Sequence, residues 1–203
     1  MFEKFFLLKP VLTAISGGKI FTVLFSWFLK ILSGILAVGA LYGSWLLWSN
    51  LSKITGGMGG ESSFKFFLGA AFAEILILAL VFIVINILLI RSEDIEKLPL
   101  AKYYPVTPII VIFIKMMGEI FASTYAFISL AFALVSWTVG GSVLSMLPFP
   151  HLPGLSTSGG GSLTSGLITI AQGSIIGFLL LVFAYFAAEA TGALVDIARN
   201  TKK

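Results

Sequence analysis

Phe66-Phe-Leu-Gly-Ala-Ala-Phe-Ala-Glu74-Ile-Leu-Ile-Leu-Ala-Leu-Val-Phe-Ile-Val-Ile-Asn86-Ile-Leu-Leu-Ile90 runs for 25 residues with only two strongly polar side chains, and Arg91-Ser-Glu-Asp ends it. A helix needs about 20 apolar residues to cross the ~30 Å hydrocarbon layer of a bilayer, so this stretch is long enough to span. A soluble core strand or helix would be shorter, or would show a polar face. The rest of the chain agrees: 58% of its 203 residues are hydrophobic and 11% charged, against roughly 25% charged in a soluble domain. In lipid every backbone group has to be bonded internally. The runs are long and do not alternate, which excludes a β-barrel. The expected class is an all-α integral membrane protein.

Working outward, three more stretches qualify: 31–48, closing on Trp45 and Trp48; 120–139, with Trp137 near its end; and 167–188, just before Glu189. Aromatic residues at span ends suit the membrane interface. Four spans in chain order give two hairpins with both termini on one side. With the N-terminus inside, Lys4, Lys9, Lys19, Lys30, Arg91, Lys97, Lys102, Lys115, Arg199, Lys202 and Lys203 face inward, and Lys53 and Lys65 outward. Eleven basic residues against two, in short loops, orient both termini to the cytoplasm. The expected location is a bacterial cytoplasmic membrane. The start, with Lys9-Pro10 interrupting its apolar residues, does not read as a cleaved signal peptide.

The connecting segments carry their own patterns. Residues 1–29 read as an amphipathic segment on the cytoplasmic interface, because Lys19, Thr22, Ser26, Lys30 and Ser33 recur at helical spacing. Residues 91–119 read as a cytoplasmic loop followed by a helix, opened by Pro105 and Pro108, that enters the membrane obliquely. The outer connections are Gly/Ser-rich; the longer, 140–166, contains the proline-stiffened apolar stretch Met146–Leu155, which suits the outer interface or a neighbouring protein. Gly59-Gly60 and Leu80-Val81-Phe82 recur 101 residues later as Gly160-Gly161 and Leu181-Val182-Phe183. Such a match is compatible with duplicated hairpins, although five residues of this composition also coincide by chance.

Ionisable groups within spans come first as candidate functional residues, since one at a helix centre costs at least ~2.5–3.5 kcal/mol on the insertion scale. Glu74 lies eight residues into its span. It reads as a relay for a proton or cation, or more simply as a hydrogen-bonding group for a neighbouring helix. Asn86 reads as an extension of the same polar stripe, or as an interhelical hydrogen-bonder. Lys30, Glu119 and Glu189 fall at similar depth near the cytoplasmic boundary, with Lys115 one turn from Glu119. They form either a charged mouth or a ring of lysines reaching headgroups and pairing with carboxylates. Gly173 and Gly177, a GxxxG pair, are expected to let another helix approach closely.

Absences narrow the chemistry. There is no cysteine, and the single histidine, His151, falls in a loop. The sequence has no histidine–carboxylate metal cluster, nucleophile elbow or nucleotide-binding loop. No enzyme, metal or cofactor is expected, a bound lipid is compatible with the surface, and a nucleic-acid partner is not expected. The function expected is that of an accessory subunit of a larger membrane assembly, through other subunits or self-association. The alternative is a small oligomeric transporter or channel with Glu74 in an ion path.

Overall fold

The computed structural model describes residues 19–55, 60–98, 106–139, 153–154 and 162–201. Residues 1–18, His151 and nearly all of the 140–161 connection, on which several of the expectations above fall, lie outside the described residues. Four α-helices make up the described chain: α1 Lys19–Thr55, α2 Gly60–Glu96, α3 Thr107–Val139 and α4 Leu163–Asn200. All four are long and apolar enough to cross a membrane, as in a multi-pass membrane protein. Ser162 caps α4, its side chain accepting the Ser165 N–H, which satisfies one of the donors that a helix start leaves open.

Each helix is longer than its apolar run. α1 and α2 have 37 residues each, or ~55 Å at 1.5 Å per residue. The expected separate segment before the first span is therefore partly absent: residues 19–29 continue without a break into 31–48. Nothing between Lys19 and Trp48 stops a helix, since there is no proline and the glycines stand singly. The polar face at Lys19–Ser33 has a partner other than lipid headgroups. Ser26 and Ser33 are buried, and Ser26 pairs with Ser92 of α2. Likewise, the helix expected to enter obliquely before residue 120 is the first third of α3.

The helices pack in chain order, α1 on α2, α2 on α3 and α3 on α4. Neighbours are antiparallel. Ser26 meets Ser92 while Trp48 stacks edge-on to Phe67; Arg91 meets Glu119 while Ala73 packs with Phe132 and Val135. One end of the bundle therefore collects the start of α1, the end of α2, the start of α3 and the end of α4; it is called the charged end here. The opposite end carries the Gly-rich connections. Near the charged end, Leu29, Leu88, Ile95, Ile109 and Met116 close a core from α1, α2 and α3.

The α3–α4 contact depends on glycine. A Cβ at Gly173 would collide with Ser129, and one at Gly118 with Ala184. At Gly177 it would lie 2.9 Å from the Ala122 carbonyl oxygen. Between helices in lipid, small residues gain dispersion contact through close backbone approach, and here they seat α4 against α3. By contrast, a Cβ at Gly34, Gly39 or Gly43 of α1, or at Gly192 near the end of α4, would meet nothing.

Candidate functional site at the charged end

At the charged end, antiparallel packing brings polar side chains from all four helices to one level. Arg91 follows the last apolar turn of α2, and Glu119 and Tyr185 face it from α3 and α4. The Arg91 guanidinium donates through Nε to Glu119 Oε2 at 3.1 Å and through Nη2 to Glu119 Oε1, a two-pronged pairing. Nη1 donates to Asp94 Oδ2 at 2.8 Å. The Tyr185 hydroxyl donates to Glu119 Oε1 at 2.6 Å and also lies 3.3 Å from Arg91 Nη2. Arg91 and Glu119 side chains are each 19% exposed. The fork of a guanidinium matches a carboxylate on two bonds at once, which fixes orientation as well as charge. This cluster ties α2, α3 and α4 together.

Beside it, Glu96 Oε1 accepts from Lys30 Nζ at 2.7 Å and from Ser26 at 2.8 Å. Ser92 also donates to the Ser26 carbonyl at 3.2 Å. These bonds attach α1. Lys115 places its ammonium 5.2 Å from the centre of the Tyr185 ring, a cation–π distance.

The structure thus assembles Lys30, Lys115 and Glu119 into one polar layer, though Lys30 and Glu119 bind through Glu96 and Arg91 rather than to each other. Glu189 is one turn beyond Tyr185 and exposed, with no polar partner among the described residues. Arg91, Asp94, Glu96 and Tyr185 are the members that sequence reading passed over as site residues. Arg91 read only as the stop signal of a span, and Tyr185 lies inside the apolar stretch 167–188.

Glu74 and Asn86 do not form a stripe. Twelve residues advance a helix by about three and a third turns, so the two lie roughly 120° apart. Asn86 is exposed and donates to the Phe82 carbonyl of its own helix at 2.7 Å. Glu74 turns inward, with Oε1 buried and no hydrogen-bond partner. Trp137 Nε1 is likewise buried and unpartnered; its ring lies where a Gly166 side chain would be. Among the described residues no group of three metal-binding side chains occurs. The grooves are shallow, apolar and on helix surfaces: one lies on α1 between Ile31 and Tyr42, another on α4 between Ile176 and Phe186.

No protein-family model matches the chain, and no curated protein and no solved structure is similar to it.

Proposed function

We propose that the chain is a non-catalytic accessory subunit of a larger membrane assembly, contributing helix surface to other membrane subunits or to further copies of itself. The observation that carries this reading is the contrast between two sets of glycines. Glycine in a helix costs about 1 kcal/mol relative to alanine. Gly118, Gly173 and Gly177 offset that cost by admitting a neighbouring backbone, whereas Gly39 and Gly43, themselves a GxxxG pair, face open space. α1 packs on α2 alone among its strong contacts. Its other side presents Ile31, Gly34, Ile35, Val38, Gly39 and Tyr42 as an apolar groove. At the charged end Arg91, Asp94, Glu119, Lys30 and Glu96 are paired with one another, which suits a structural role.

The test is purification in mild detergent, followed by mass spectrometry and cross-linking. Companion chains in fixed ratio, or a defined oligomer, are expected, and G39L/G43L should release them while the isolated chain stays folded. A solitary monodisperse wild-type chain would remove the proposal. In the same reading the four spans form two hairpins, and both termini are in the cytoplasm of a bacterial cell.

One observation favours a second reading, transport. The unpartnered buried oxygen of Glu74 is the kind of group that an ion or proton path uses. Glu74→Gln should then abolish an ion- or pH-dependent flux in proteoliposomes; a parent without flux removes this reading.

A further inference from the structure

The Pro153–Gly154 turn belongs to the connection that leaves α3 at Val139 and enters α4 at Leu163, both at the Gly-rich end. Its contacts lie far from that end. The Tyr125 hydroxyl donates to the Pro153 carbonyl at 3.1 Å, and a Cβ on Gly154 would come within 2.9 Å of Ile176 Cδ1. Tyr125 is 14 residues from Val139, and Ile176 is 13 from Leu163. At 1.5 Å per residue both helices put the turn ~20 Å below their ends. Were both side chains to lean toward the Gly-rich end by their full lengths, of order 4–6 Å from covalent geometry, the turn would still sit roughly 10 Å down.

The charged layer supplies the membrane frame. Counting about 20 residues of hydrocarbon from Glu119 reaches Val139, and from Tyr185 reaches Ser165. The turn falls inside that interval. We propose that the Pro153–Gly154 turn is seated inside the hydrocarbon layer, between Tyr125 of α3 and Ile176 of α4, rather than at the Gly-rich surface where those helices end.

The chemistry around the turn suits that position. Non-helical backbone within a membrane has to satisfy its polar groups on protein or water. Pro148, Pro150 and Pro153 bring no N–H to satisfy, and Tyr125 supplies a donor to the Pro153 carbonyl. Gly154 has φ +83°, a conformation that glycine adopts freely and that reverses the chain beside Ile176. The turn stands six residues, ~9 Å along α3, above Glu119.

The native chain has no cysteine, so pairs of spin labels can be placed without background. P153C with E189C, and S162C with E189C, are to be labelled with nitroxides in lipid nanodiscs and measured by double electron–electron resonance. Glu189 is exposed on α4, 13 residues from Ile176 and 27 from Ser162. The expected distances are about 20–25 Å for the Pro153 pair and about 40 Å for the Ser162 pair. A Pro153 distance equal to or longer than the Ser162 distance would overturn the proposal. If P153C does not fold, L155C with E189C gives the same discrimination: a distance well below that of the Ser162 pair supports a deep turn, and an equal one refutes it.

Discussion

Replacing Glu119 by glutamine removes the charge from the cluster that joins three helices while keeping its shape. Removing one partner of a fully buried ion pair costs about 3–5 kcal/mol, and exposed pairs contribute about 0–1 kcal/mol. Arg91 and Glu119, each 19% exposed, fall between those limits. Asp94 still neutralises part of the guanidinium, and the glutamine oxygen can still accept from Tyr185. The expected destabilisation of E119Q is therefore about 2 kcal/mol, roughly a 30-fold shift in the unfolding equilibrium. Titration of the purified chain from mild detergent into SDS, followed by circular dichroism or tryptophan emission, would measure it. R91Q and the double variant R91Q/E119Q complete a cycle, with an expected coupling of about 1–2 kcal/mol. An E119Q variant within about 0.5 kcal/mol of the parent, together with additive single effects, would refute the argument that this pair holds the bundle.

The remaining predictions test the packing and the orphaned groups. G173A should lose about 1–3 kcal/mol, since its Cβ meets Ser129 and α4 must shift, while G39A should be neutral or gain up to about 1 kcal/mol in the isolated chain; equal effects in the same SDS titration would contradict the glycine contrast. S26A or S92A alone should cost about 1–2 kcal/mol by leaving a buried hydroxyl or Glu96 short of a partner, and S26A/S92A should cost less than the sum. Glu74→Met should raise stability by about 1 kcal/mol or more, because it replaces an unpartnered buried oxygen with an apolar chain of similar size. A loss of stability on that change would show that Glu74 has a bonding partner in the membrane.

Four spanning segments were readable because hydrocarbon thickness sets a length that composition reports directly. The extents of the helices were not. The apolar run of α1 begins at Ile31, yet the helix starts at Lys19, because Ser26 and Lys30 find their partners on α2 rather than in water or headgroups. A polar stripe shows that a face is needed without showing whether lipid surface or another helix meets it. The charged layer was half readable for the same reason. Lys30, Lys115 and Glu119 stand out at span boundaries, but the choice of Arg91 for Glu119 and of Glu96 for Lys30 joins residues 28 and 66 positions apart in sequence. The expected Glu74–Asn86 stripe fails on helical geometry alone. The deep seat of Pro153 depends on Tyr125 and Ile176, whose apolar surroundings give no local sign of a loop beside them.

The Arg91 cluster also bears on the order in which the chain is made. When α1 and α2 have left the ribosome, Arg91 has Asp94 beside it but neither Glu119 nor Tyr185, which arrive with α3 and α4. The first half thus enters the membrane with a guanidinium awaiting its main counter-charge, and the second half with a carboxylate awaiting the same partner. Two such halves expressed as separate polypeptides, split between Leu98 and Val106, should be short-lived alone and should rescue each other when made together.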